Sequence, residues 1–285
     1  MAAVACSVTP TLQTTSSPVP VTPSPGARVT VTATAITPLS AQRSLKVAQA
    51  FAKTRAVRQV RYEIASQVAL TQQDKIVQQP GLNARGAESG ENRQLALSGI
   101  MNATGQPTTF EFITLNGVTY IKGLNGIPGV NPAQWYRFPQ ELGNVTHDAP
   151  GVKSLLAQLE THAIEQANFQ SVGQETLDGQ TCVIWLARDP NLAQGLLGIA
   201  GGAQAGSQMQ ALDDSEFRVW TCADGYIHRF AGVVRGHDPA NPAHQSTAQL
   251  AIHLYDHDAE IVITAPSDAQ DFQAPAADPG APAAP

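Results

Sequence analysis

No stretch of about 18 consecutive apolar residues occurs in this chain of 285 residues, so no segment of it reads as a membrane-spanning helix. Charge is scarce as well. Only 14% of residues are charged and the formal net charge is −6, which argues against the broad cationic surface of a general nucleic-acid binder. The scarcity is uneven: from Met1 to Tyr62 there is no acidic residue, while Arg28, Arg43, Lys46, Lys53, Arg55, Arg58 and Arg61 fall in that span. Such a segment is either drawn to an anionic membrane, by about 1 kcal/mol per nearby cation, or is a solvated helix face. The usual catalytic signatures are missing too. No GxGxxG or GxxxxGK[ST] follows a strand, and no GxSxG elbow presents a nucleophile. These absences favour a binding protein over an enzyme, and no cofactor or metal is expected.

Cysteine is nearly absent, with three in the chain. Cys6 follows Ala3-Val4-Ala5, the small and aliphatic residues that precede the modified cysteine of a bacterial lipoprotein. A charged n-region and an apolar stretch would ordinarily come before it, yet Met1 lies only five residues upstream, which predicts a truncated signal sequence. The alternative is a chance cysteine in an unstructured N-terminus. The other two belong to predicted strands, Thr181 to Ala187 and Glu216 to Cys222. If a helical excursion returns the chain antiparallel, Cys182 faces Cys222, and a cross-strand disulfide forms provided the Cα atoms lie within about 4.4–6.8 Å. That bond requires an oxidising, extracytoplasmic compartment; two buried free thiols are the alternative.

With 42% hydrophobic residues the chain can bury one large core. Residues 1–39, rich in Pro, Thr and Ser, read as a disordered tether. Residues 40–266 form the folded domain, and 267–285, rich in Ala and Pro, a disordered tail. A helix is capped by Ser40 and carries Leu45, Ala48, Phe51 and Ala52 on one stripe. Val60, Tyr62 and Ile64 alternate with charged residues as in a half-buried strand. Leu95 with Leu97, and Phe110 with Phe112, mark two further strands. Asn116-Gly117, Asp178-Gly179 and Asp224-Gly225 each sit between strand-like runs and predict hairpins. Trp135 to Pro139 reads as an aromatic edge, Gly151 to Ala167 as the clearest helix, and Thr247 to Tyr255 and Ile261 to Thr264 as the last strands. Pro190 to Leu212 holds Leu192, Leu196, Leu197, Ile199 and Met209 among many glycines, each of which weakens a helix by about 1 kcal/mol, so it predicts a mobile lid. His237, His244, His253 and His257 lie close in sequence beside Asp238, Asp256 and Asp258, but none has the spacing of a helical zinc motif, and they read as surface histidines.

Taken in order, the opening helix running into Val60-Arg61-Tyr62-Glu63-Ile64, the run Asn116 to Lys122 followed by Trp135-Tyr136-Arg137, the turn within Gly173 to Gly179, Trp220 to Arg229, and Tyr255 to Ile263 before Pro266 resemble the LolA/LolB-like carriers of lipoproteins and lipids. Within that group the chain is most similar to cell-envelope lipoproteins of the LppX/LprG type. The resemblance covers about Ser40 to Pro266. It implies an α+β fold in which a curved antiparallel half-barrel, a meander, is covered on its concave face by a few helices enclosing an apolar cavity. Val60, Tyr62, Ile64, Phe110, Phe112, Leu155, Leu159, Trp185, Leu196 and Leu254 are then the candidates to line it, an ordinary filled core being the alternative for each. Burying one acyl methylene contributes about 0.8 kcal/mol, so such a cavity binds a lipid without polar contacts. The expected protein is a membrane-anchored envelope lipoprotein, acylated at Cys6, that carries or presents a lipid or an acylated molecule. A sensory or protein-interaction module on the same fold, with an envelope protein as partner, and a lipid-modifying enzyme are the alternatives.

Overall fold

The computed structural model describes residues 40–72, 75–79, 81–101, 107–138, 151–160, 164, 167–200, 209 and 211–273. Cys6 and the whole of residues 1–39 lie outside them. In chain order the elements are α1 (Ser40–Arg55), β1 (Gln59–Gln72), β2 (Lys75–Gln79), β3 (Asn83–Ser89), β4 (Asn92–Met101), β5 (Pro107–Leu115), β6 (Val118–Lys122) and β7 (Tyr136–Phe138). There follow α2 (Val152–Glu160), β8 (Gln170–Leu177), β9 (Gln180–Ala187), α3 (Pro190–Ala200), β10 (Ala211–Cys222), β11 (Ile227–Asp238), β12 (Asn241–Tyr255) and β13 (Gln270–Asp271).

All the strands join one open, curved sheet in the order β13-β7-β6-β5-β4-β3-β1-β12-β11-β10-β9-β8, with β2 folded back on the far end of β1. Every pairing is antiparallel except β13 with β7. The α+β half-barrel read from the sequence is therefore the fold. Its hairpins form where expected. Asn116 and Gly117 adopt φ of 51° and 78°, and Asp178 and Gly179 51° and 75°, the left-handed pairs that a type I′ turn requires.

The helices lie on one face of the sheet, where they pack against β1, β10, β11 and β12. Alternation puts Tyr62, Ile64, Phe217, Phe230, Ile252 and Leu254 on that inner face, and all are buried. Of the Pro190–Leu212 segment, expected as a mobile lid, the first eleven residues are helix α3, with Leu192, Ala193, Leu196 and Leu197 buried, and residues 201–208 lie outside the described residues. The reason that α3 forms lies across from it. A Cβ on Gly232 of β11 would stand 2.0 Å from Leu196 Cδ1, so the missing side chain there is the notch that seats the helix, and packing outweighs the poor propensity of Gly195.

Ile261 to Thr264 is not a strand. The chain leaves β12 and crosses the outer face, where Ile261 and Ile263 pack with Ile113 among Leu115, Tyr120 and Trp135. Their period-two alternation is that of an extended strap with one face buried. Nor does order stop at Pro266: Gln270 and Asp271 pair with β7, the Asp271 carboxylate accepts from Arg137 at 2.5 Å, and the Phe272 ring stacks on Phe138 at 4.4 Å between centroids. A single aromatic in an Ala/Pro/Asp sequence carries that closing contact.

Cys182 and Cys222 are register partners across β9 and β10 and form the disulfide, with Cα atoms 3.8 Å apart, closer than the usual range. It sits on the outer face in a small apolar cluster with Leu177 and Trp220.

Candidate functional site

The inner face collects nearly all of the residues named as cavity candidates. Val60, Tyr62, Ile64, Leu155, Trp185, Leu196 and Leu254 belong to the main buried cluster. Phe112 packs against its edge half-buried, beside Leu97. Phe110 is half-buried as well, its ring stacked 6.2 Å from that of Phe112. The side chain of Leu159 lies outside the described residues. Which face of the 110–121 hairpin points inward is now settled: Phe110 and Phe112 face in, while Ile113, Leu115 and Tyr120 face out under the strap.

The core is therefore uneven. Beneath the helices, on β1 and β10–β12, the described apolar side chains are buried. Toward β4 and β5, Leu97, Phe110 and Phe112 continue the apolar surface beyond the strands that the described helices chiefly cover.

Tyr62 and Glu88 are polar groups on this surface, and sequence reasoning missed the role of both. Tyr62 is buried with its hydroxyl lacking a hydrogen-bond partner; burial, then the nearby Glu88, push its phenol well above the usual range. Glu88, on the inward side of β3, is buried and its Oε1 accepts the Val152 backbone N–H at 2.8 Å, so it caps α2. A Cβ on Gly151 would stand 2.3 Å from that oxygen, and glycine is what lets the carboxylate approach. Burial raises the Glu88 pKa, against the pull of Lys153 and Arg93. Because a buried, unpaired hydroxyl costs about 1–3 kcal/mol, Tyr62→Phe is expected to leave stability unchanged or raise it by up to about 1 kcal/mol in urea denaturation. A loss of more than about 1 kcal/mol would show that the hydroxyl is in use.

On the opposite face the small side chains of Ala65, Ala231 and Ala251 leave a groove of about 740 Å³ bordered by Arg85, Trp220 and His253. The Arg229 guanidinium lies 5.5 Å over the Trp220 ring, and the indole N–H donates to Glu175 at 2.7 Å. Glu63, Arg85, Arg229 and His253 put charge and hydrogen-bonding groups on a groove whose floor is largely apolar.

The four histidines grouped by sequence separate in space. His237 bonds Asp213 at 2.8 Å and His244 bonds Asn241 at 3.0 Å, both local pairs. His253 and His257 instead meet His228, Asp178 and Asp224, which come from a strand and two hairpin turns. Burial first, then His228, holds His257 down to about 4, so it is neutral at pH 7.

No family model and no curated protein matches the sequence. Among solved structures the chain is similar to LprF from Mycobacterium bovis, at 14% identity over 79% of this chain and 97% of that one, with a TM-score of 0.45. It is similar also to the lipoprotein LppX from Mycobacterium tuberculosis, at 14% identity over 78% and 97%, TM-score 0.37, and to the LolA superfamily protein NE2245 from Nitrosomonas europaea, at 9% over 77% and 95%, TM-score 0.23. Both kinds of protein that the sequence resembles are thus represented. At these values the likeness concerns the general course of the chain and assigns no residue a role.

Proposed function

We propose that the protein is a cell-envelope lipoprotein, anchored through Cys6, whose domain holds the acyl chains of a lipid against the inner face of its sheet and carries or presents it. The observation that carries this reading is the apolar strip of Leu97, Phe110 and Phe112, which extends a buried core past the strands that the described helices chiefly cover. Hydrocarbon laid along it removes aromatic and aliphatic surface from water on both partners, at about 25 cal/mol per Å². The disulfide supports an extracytoplasmic location. A lipid-modifying enzyme is not favoured, since the Glu88 carboxylate, a buried ionisable group of the inner face, is occupied in capping α2.

Native mass spectrometry of protein purified from its own membrane, followed by solvent extraction, is expected to show one co-purified lipid species class. Leu97→Trp, which fills the strip, should lower its occupancy at least tenfold with the melting temperature within a few degrees of wild type. A protein free of lipid, or a variant that loses stability and keeps its lipid, would remove the carrier reading. The charged outer groove favours a second reading, a protein-interaction module. On that reading Arg229→Glu breaks partner binding while the lipid content of the protein stays as it was.

A further inference from the structure

Three side chains that no catalytic or lipid-binding role uses converge at one end of the sheet. The atoms that Asp224, His228 and His257 offer as ligands all lie within 4.8 Å of one another. Each is delivered by an irregular piece of backbone. Asp224 is in the turn joining β10 and β11. His228 is the extra residue of a β-bulge, since Trp220 pairs with Arg229 but Thr221 pairs with Ile227; bulges of this kind re-aim a side chain at the margin of a sheet. The Ile227 N–H beside the bulge donates to Thr54 Oγ1 of α1 at 2.9 Å, which fixes the distortion. His257 stands between Asp256 and Asp258, both in the left-handed region at φ 55° and 56°, a conformation that non-glycine residues hold only where the surroundings impose it. Asp258 is held there by the Arg58 N–H at 3.1 Å and the Tyr226 hydroxyl at 2.6 Å.

The polar bonding around the cluster is that of a ligand set with its supports already in place. His228 places Nδ1 2.7 Å from Asp178 and Nε2 2.9 Å from Asp224. Asp178 also accepts from His253 at 3.1 Å. The His257 ring lies flat against Tyr226, 4.7 Å between centroids and 2° from parallel. Its Nδ1 side is engaged by the Ile227 backbone, while its Nε2 is buried with no hydrogen-bond partner. A buried imidazole nitrogen without a partner is the signature of a missing acceptor or cation. Beyond the three ligands, the neighbouring charges among the described residues include the Asp178 and Asp258 carboxylates and one ammonium, Lys53, which lies over the Tyr226 ring at 4.1 Å and donates to the Asp224 backbone carbonyl. The balance is anionic.

We propose that Asp224 Oδ, His228 Nε2 and His257 Nε2 bind a divalent d-block cation of the zinc class. Two imidazoles and one carboxylate suit zinc, nickel or copper and not calcium or magnesium. On binding, the ion replaces the proton that His228 Nε2 shares with Asp224, and that proton passes to solvent. Asp178 keeps the Nδ1 proton and orients the ring, and the Ile227 carbonyl does the same for His257, the outer-shell arrangement that metal-bound histidines use. Bonds of about 2.0–2.1 Å put tetrahedral ligand atoms about 3.3 Å apart, so small side-chain rotations open the 2.9 Å His228–Asp224 pair and draw the wider separations in, with water completing the coordination.

The test is equilibrium dialysis of the full chain against micromolar zinc chloride, with metal counted by elemental mass spectrometry. One zinc per chain is expected, with a rise in melting temperature. His257→Phe keeps a flat ring on Tyr226 but has no lone pair, and should weaken binding at least tenfold. Asp224→Asn, which keeps the oxygen that accepts the Tyr226 N–H, should do likewise, while His237→Ala should bind as wild type. Absence of stoichiometric zinc from the wild type, or wild-type binding by both triad variants, overturns the proposal.

Discussion

Replacing Cys182 and Cys222 together with alanine is expected to lower the unfolding free energy by about 4 kcal/mol. The two residues are 40 apart in sequence, and closing a loop of that length removes chain entropy from the unfolded state equivalent to about 4 kcal/mol. For a folded domain of this size each kcal/mol shifts the melting temperature by about 2–4 °C, so a fall of roughly 8–16 °C is expected. The loop also contains α3, which covers the inner face beside Phe217 and Gly232. Loss of the bond therefore frees the helix that covers that half of the core, and its effect is felt on the face opposite the sulfurs. Wild-type protein reduced with dithiothreitol should show the same urea midpoint as the double variant. If both stay within about 1 kcal/mol of the oxidised protein, the bond is not what holds β9 to β10.

Where sequence spoke clearly, one local pattern determined one local structure. Asn116-Gly117 and Asp178-Gly179 specify turns because few other residues accept positive φ in succession. The facing of Cys182 and Cys222 followed from two strand-like runs and an antiparallel return between them, with the register assumed and now observed. β3 was invisible for the opposite reason: its inward positions are Ala84, Gly86 and Glu88, none of which has the bulk that marks a strand with a buried face. The space above them is taken by groups from elsewhere, Tyr62 from β1 and the start of α2 from a segment more than sixty residues on. Ile261 and Ile263 alternate like a strand since any extended chain with one buried face does. The Asp224, His228 and His257 cluster was not read from the sequence, where the nearby histidines were taken as surface groups. His253 and His257 stood out by composition, but His228 joins them only through a one-residue slip between β10 and β11, and Asp178 and Asp224 had been read as turn formers, which they also are. A bulge has no sequence signature apart from the register it interrupts.

Glu88→Ala is expected to cost about 3 kcal/mol at neutral pH, and Glu88→Gln much less. The carboxylate satisfies the first backbone N–H of α2 from inside the core, and a hydrogen bond to a charged group contributes about 1.5–3 kcal/mol. Alanine leaves that donor buried and adds a small void; glutamine keeps an acceptor in place. The two variants also separate the cap from its charge. Burial raises the pKa of Glu88 above its unfolded value of about 4.3, so the folded state binds the proton more tightly. The part of the stability linked to that proton is fully present below about pH 4.3 and is lost as pH rises through the raised folded pKa, whereas the hydrogen bond from the Val152 N–H remains at neutral pH. Glu88→Gln removes this dependence, and its melting temperature should fall less than that of the wild type as pH climbs through that window. Identical slopes would place the Glu88 proton outside the folding equilibrium. On the lipid-carrier reading, α2 is one of the helices that close the inner face, so Glu88→Ala should also speed lipid exchange while Glu88→Gln leaves it near wild type. A capping carboxylate whose pKa is raised by burial would then couple helix closure to acidity.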